Sequence, residues 1–122
     1  MIKDILLVGL GGFVGSTARY VLSECMKALG HGFPWGTLAV NVAGSFLIGL
    51  IGGMADRHTG LSAQWVLFLT VGVCGGFTTF STFSKESLLL LQSGHHWAFA
   101  AYVVGSVLLG LAAAALGLWL AR

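Results

Sequence analysis

Between Gly75 and Ser84 the chain reads Gly-Gly-Phe-Thr-Thr-Phe-Ser-Thr-Phe-Ser. Phe80 and Phe83 stand three apart and share a helical face, with Ser81, Thr82 and Ser84 on the neighbouring faces. The edge of an aromatic ring is positive, so two rings presented edge-on can stabilise a weakly hydrated anion without a fixed charge. Hydroxyls can donate hydrogen bonds to the same ion. That combination suits an anion that must be held and then released. The same spacing also fits core aromatics whose neighbouring hydroxyls bond the preceding turn.

Immediately upstream, Leu67 to Cys74 reads as an ordinary apolar helix. Gly75-Gly76 weakens it, and the Thr78-Thr79 hydroxyls compete for backbone bonds. One reading is a break, with a second half-helix beginning near Thr79. The first half then points free carbonyls inward, the negative end of its dipole, which favours a small cation. The other reading is a continuous helix with glycines for packing. The run sits in a stretch apolar enough to cross a membrane, where irregular backbone is tolerated only if it lines a cavity, binds an ion or is buried in protein.

Other polar residues fall within apolar runs. Asn41, with Ser45 one turn on, is either a donor in a polar path or interhelical glue. Arg19 either snorkels to the interface or forms a positive vestibule that attracts anions. Lys85-Glu86 fits a local ion pair or an interfacial placement. Tyr102 and Ser106, four apart, either continue a hydroxyl track or bridge helices.

The elements that must position these groups follow from composition. Of 122 residues, 57% are hydrophobic and 8% charged, against roughly 25% charged in soluble domains. Residues 1–122 read as a single all-α transmembrane domain. Membrane spans need about 20 apolar residues, and four candidates are present: Ile5 to Met26, Trp35 to Ala55, Leu61 to Leu91 and Trp97 to Leu120. Met1-Ile2-Lys3-Asp4 runs into the first span, which is expected to be retained as a helix. Trp35, Trp65, Trp97 and Trp119 mark span ends, where such rings settle at the headgroups. Gly11/Gly15, Gly49/Gly53, Gly72/Gly76, Ser106/Gly110 and Ala113/Gly117 are small-residue pairs that let helices approach closely.

Four helices enclose little interior, which points to an oligomer. The 6 basic residues divide evenly between the two sides: Lys3, Arg57 and Arg122 against Arg19, Lys27 and Lys85. Without a positive-inside bias, the chain could insert both ways and pair as an antiparallel dimer.

Several classes are excluded. A net charge of +2 without a basic cluster gives no nucleic-acid partner. Gly9 to Gly15 resembles a dinucleotide-binding turn, but position 14 is valine and no acidic residue follows at the required distance. His31, His58, His95 and His96 lie in loops or at interfaces without metal-ligand spacing. Cys25 and Cys74 read as inert packing thiols. No nucleophile–base–acid set can be assembled, so no enzyme is expected.

The Gly75–Ser84 run resembles the signature of the Fluc (CrcB) fluoride channels. So do Gly36-Thr37-Leu38-Ala39-Val40-Asn41, opening the second span, and Gly11-Gly12 through Arg19 in the first. The resemblance covers the whole chain. It implies an antiparallel, dual-topology homodimer, each subunit with four transmembrane helices and the third broken mid-membrane. It implies two fluoride pathways and a structural sodium ion at the dimer centre, held by backbone carbonyls of Gly75 and Thr78. Phe80 and Phe83 match the family's fluoride-facing rings. Asn41, Ser81, Thr82 and Ser84 match its polar lining, and Tyr102 and Ser106 look like its fourth-helix track. Gly110 and Ala114 stand where some relatives carry hydroxyls, so the track stops early here.

The expected activity is passive, fluoride-selective conduction in a bacterial inner membrane. HF enters, dissociates, and the trapped anion leaves down its electrochemical gradient. A small dual-topology drug/proton antiporter is the alternative. It needs a carboxylate near the middle of its first span, whereas Glu24 lies near the end. A structural subunit without transport leaves the polar third span unexplained.

Overall fold

The computed structural model describes residues 1–30, 32–57 and 61–122. His31 and His58 lie outside that set. Helix α1 (Ile2–Met26) ends in a short 3-10 turn, Lys27–Leu29, and α2 (Trp35–Asp56) follows. The third span consists of α3 (Ala63–Leu67), a π-helical stretch (Phe68–Cys74), α4 (Gly75–Phe77) and α5 (Phe80–Gln92). Helix α6 (His96–Ala121) completes the chain. No strand occurs among the described residues. Among the described residues four stretches, Ile2–Leu29, Trp35–Asp56, Ala63–Gln92 and His96–Ala121, are long and apolar enough to cross a membrane.

Two seams hold the bundle. Helix α2 packs along α6, and α1 packs against the π-helical stretch and α4. Both seams use the small-residue pairs. A Cβ on Gly11 would lie 2.7 Å from the Gly72 Cα, and one on Gly76 would lie 2.7 Å from the Gly12 carbonyl oxygen. In the other seam, a Cβ on Gly49 would strike the Ala114 backbone and one on Gly117 the Phe46 carbonyl. Any larger residue there must push backbones apart, which removes the dispersion contacts that hold helices together in lipid. Among the described residues the largest fully buried side chains are Tyr102 and Val40, whereas Leu10, Phe13, Val107, Leu111 and Trp119 are exposed. An apolar exterior around a small interior is what a lipid solvent requires.

The stretch Leu67–Cys74 is not the ordinary α-helix that its composition predicts. Residues Phe68–Cys74 widen into a π-helix, in which the Gly75 N–H reaches back to the Thr70 carbonyl. Two local causes coincide. The Thr70 hydroxyl bonds the Val66 carbonyl at 2.7 Å, a back-bond that loosens a helix, and Gly72 lies against Gly11. Gly75 and Gly76 remain helical; the residues with extended backbone are Thr78 (φ −81°, ψ 156°) and Thr79 (φ −147°, ψ 117°).

Helix α5 is bounded at both ends. Thr79 caps its start by accepting from the Thr82 N–H at 3.3 Å. At its end, the Gly94 N–H bonds the Leu91 carbonyl and the His95 N–H bonds the Leu90 carbonyl. This is the paired pattern that requires a left-handed residue, and Gly94 supplies it at φ 79°. The turn brings α6 back beside α5.

Candidate functional site

Thr78 and Thr79 fall near the middle of the Ala63–Gln92 span, and the site is built around them. The Thr78 N–H keeps its helical bond to the Cys74 carbonyl, but the extended Thr79 does not continue the ladder, so its backbone groups need other partners. Asn41 of α2 supplies two. Its side-chain carbonyl accepts from the Thr79 N–H at 2.9 Å, and its amide Nδ2 donates to the Thr79 carbonyl at 3.2 Å. Asn41 therefore clamps Thr79 as a neighbouring strand would. Thr78 turns inward on α4, its N–H and its hydroxyl both donating to the Cys74 carbonyl at 3.0 Å.

Arg19 is half-buried and its Nε donates to the Gly76 carbonyl at 3.1 Å. The carbonyls of Gly75 and Thr78 meet no hydrogen-bond donor among the described residues. These two oxygens could ligate a small hard cation. No group of three His, Cys, Asp or Glu side chains able to hold a metal occurs among the described residues.

On the α5 side of the dipeptide lies a pocket of about 240 Å³ lined by Asn41, Thr78, Thr79, Phe80, Phe83, Ser106 and Val107. The Phe80 and Phe83 ring centroids are 5.9 Å apart and tilted by 44°. The Ser106 hydroxyl is buried and has no hydrogen-bond partner among the described residues. Asn41 and Thr78 also wall a second pocket of about 270 Å³, with Ser45, Thr70, Cys74 and Gly75. Gly110 faces Ser45: a Cβ there would lie 3.5 Å from the Ser45 hydroxyl.

From Phe83 an aromatic chain runs towards the start of α2. Phe83 lies 5.0 Å from Tyr102, Tyr102 meets Phe33 edge-on at 5.5 Å, and Phe33 lies 4.7 Å from Trp35. Tyr102 is wholly buried and its hydroxyl donates to Glu86 at 3.2 Å. Glu86 is thus tied to α6; the one ion pair among the described residues is Lys27–Glu24 at 2.8 Å.

The structure therefore gathers Asn41, Phe80, Phe83 and Ser106 in one pocket, with Tyr102 behind Phe83. It does not bring Ser81, Thr82 or Ser84 into that pocket. Ser81 and Ser84 are exposed on the outer face of α5, and Thr82 is half-buried near its cap. Sequence reasoning missed Phe33 as a member of the aromatic chain. Its one visible signal was an aromatic beside Pro34, just ahead of a tryptophan at a span start.

Fold and site define a small multi-pass membrane protein whose polar groups converge on two extended threonines in the third span. Residues 6–118 match the family described as CrcB-like protein, Camphor Resistance (CrcB). Three similar proteins each carry the name Fluoride-specific ion channel FluC. The one from Leptospira interrogans is 45% identical over 121 residues, covering 98% of this chain and 95% of that one. The one from Phocaeicola vulgatus is 48% identical over 122 residues, covering 98% and 99%. The one from Chlorobaculum tepidum is 48% identical over 122 residues, covering 100% and 97%. The chain belongs to the CrcB family.

Proposed function

We propose that this protein is a fluoride-selective passive channel that lets cytoplasmic fluoride leave a bacterium across its inner membrane. The observation that carries the reading is the Ser106 hydroxyl, buried without a partner in the pocket walled by Phe80 and Phe83. A buried unsatisfied hydroxyl costs about 1–3 kcal/mol. A small anion that accepts from it and rests against the ring edges removes that cost. The names of the relatives point the same way.

The working unit is an antiparallel, dual-topology homodimer with two pathways. Phe80 is 79% exposed in the single chain, and a second copy supplies its missing cover. Ser81, Thr82 and Ser84 lie on the helix that carries Phe80 and line the path in the dimer. Tyr102 and Ser106 continue the path along α6, and Ser45 provides a hydroxyl where Gly110 has none. Arg19 draws anions to the mouth; its terminal amino groups are not used by the bond to Gly76.

Thr78 and Thr79 form the mid-membrane break of the third helix. Sodium is the structural cation, held by the Gly75 and Thr78 carbonyls of both subunits. The free carbonyls, with no carboxylate beside them among the described residues, fit a small, weakly charged hard ion. When bound, it neutralises the helix-end dipoles and joins the two copies.

Selectivity arises where donors and ring edges replace the hydration shell of a small ion in a narrow path. The test is efflux from liposomes containing only this protein, with a potassium ionophore to dissipate voltage. Fluoride is expected to leave rapidly and chloride far more slowly. Equal rates would overturn the selectivity, and no flux of either ion would overturn the channel.

A further inference from the structure

We propose that the groove between the amino-terminal ends of α1 and α3 binds one anionic phospholipid, its phosphate on Lys3 and Gln64 and its upper acyl chain against Leu7, Trp65 and Phe68. The groove has a volume of about 240 Å³ and is lined by Lys3, Leu7, Ser62, Gln64, Trp65 and Phe68. It is separate from the fluoride site and does not depend on that reading. Its position follows from the α1 seam. Gly11 meets Gly72 and Gly12 meets Gly76, so the two spans run side by side in the same direction and their starts diverge around this opening.

The two parts of the groove differ in chemistry. Leu7 and Phe68 form an apolar floor one to two turns inside each span. Trp65 stands edge-on to Phe68 at 5.8 Å and is 57% exposed, at the level where indole rings meet headgroups. Lys3 and Gln64 form the rim, both exposed and neither with a side-chain partner among the described residues. Asp4 is next to Lys3 in sequence, but consecutive helical residues do not share a face, and it does not line the groove.

Charge selects the occupant. In a bilayer an open apolar groove is filled by a lipid chain in any case; the rim decides which headgroup accompanies it. Basic pockets between transmembrane helices take anionic headgroups. The same end of the bundle carries Arg57 and Arg122, because Gly53 near the end of α2 packs against Leu118 and Arg122. With Lys3 this outweighs Asp4 and Asp56, so the surroundings add to the preference. A phosphodiester carrying one negative charge, as in phosphatidylglycerol, matches a single ammonium and an amide donor.

The experiment uses brominated acyl chains, which quench indole fluorescence on contact. A chain with Trp65 as its sole tryptophan (Trp35→Phe, Trp97→Phe, Trp119→Phe) is reconstituted in phosphatidylcholine vesicles containing a minor fraction of brominated phosphatidylglycerol. Lys3 should enrich phosphatidylglycerol at Trp65 about fivefold over its mole fraction, and Lys3→Gln should return quenching to that fraction. Quenching that follows mole fraction in the lysine-bearing chain, or enrichment that survives Lys3→Gln, would overturn the site. Native mass spectrometry of the chain with all four tryptophans gives a second readout if the triple variant does not fold. One retained phosphatidylglycerol per subunit is expected, lost in Lys3→Gln. Equal retention in both proteins refutes the proposal.

Discussion

Removing the Asn41 amide should disable the site without touching either phenylalanine. Asn41→Ala deletes both bonds to Thr79, at 2.9 and 3.2 Å, and leaves an N–H and a carbonyl unpaired in mid-span. Interhelical hydrogen bonds in membranes average only ~0.6 kcal/mol, which sets a floor of roughly 1.2 kcal/mol for two such bonds. The orphaned groups cost more than the lost bonds. Each unsatisfied buried polar group costs about 1–3 kcal/mol, and water is not at hand in lipid to replace the partner. The extended dihedrals of Thr78 and Thr79 deny the two Thr79 groups a helical partner while the backbone stays as it is. The cost of the unpaired groups therefore decides the outcome, and a loss of about 3 kcal/mol corresponds to roughly a hundredfold shift in population.

The chain has one escape. Closing α4 onto α5 as a continuous helix would let the Thr79 N–H bond the Gly75 carbonyl, at the expense of the pocket. Both outcomes lower fluoride efflux from liposomes, by up to roughly a hundredfold where the clamped and unclamped arrangements start near equal in energy. The first also lowers the thermal midpoint of the purified protein, and the second does not. Asn41→Asp separates the amide's bonding from its bulk. A protonated carboxyl offers both a donor and an acceptor, so stability should recover partly as pH falls in Asn41→Asp and not in Asn41→Ala. Unchanged efflux together with an unchanged midpoint in Asn41→Ala would refute the reasoning, because the clamp would then hold nothing.

Phe80→Ile and Phe83→Ile keep apolar bulk and lose the ring edge; each should reduce fluoride efflux at least tenfold while cross-linked dimer persists, and undiminished flux in the double variant would reassign both rings to packing. Ser93→Cys on a Cys25→Ser, Cys74→Ser background places a single thiol in the turn between α5 and α6. An impermeant reagent should modify about half of the copies from each side of the membrane, and labelling from one side alone would defeat dual insertion. Exchange of sodium for a large organic cation should lower the thermal midpoint of the dimer; a midpoint indifferent to sodium down to trace levels would remove the ion from the structure.

What was legible in the sequence divides along a physical line. The spans were legible because lipid imposes a length and a polarity on each segment alone. The close-packing pairs were legible as pairs, but not their partners: Gly11 does not announce Gly72. Asn41 was visibly a buried amide in need of bonds, yet its partner is a backbone group 38 positions away, and only the fold brings them together. The same holds for Arg19 and the Gly76 carbonyl, 57 positions apart. The π-helical stretch was hidden because its causes, the Thr70 back-bond and the Gly72 approach to Gly11, act together only after packing. Ser81 and Ser84 show the opposite limit. Residue type and family resemblance group them with Phe80, while helix geometry in the single chain turns them outward.

The extended dipeptide also gives a reason why a site for ions can be made from so few charges. On the proposed reading, α4 ends at Phe77 and presents carbonyls, the negative pole of a helix, while α5 begins at Phe80 and presents N–H groups, the positive pole. Two residues separate poles of opposite sign. Asn41 and Thr78 line the pockets on both sides, so one clamp sets both geometries. If the proposed function holds, a cation belongs with the carbonyls of Gly75 and Thr78, and an anion with the rings and the Ser106 hydroxyl beyond Thr79. A fixed Lys or Asp in either pocket would hold its ion too strongly for passage and would be costly at that depth. Dipoles and ring edges bind more weakly, and conduction requires an ion that enters readily and also leaves.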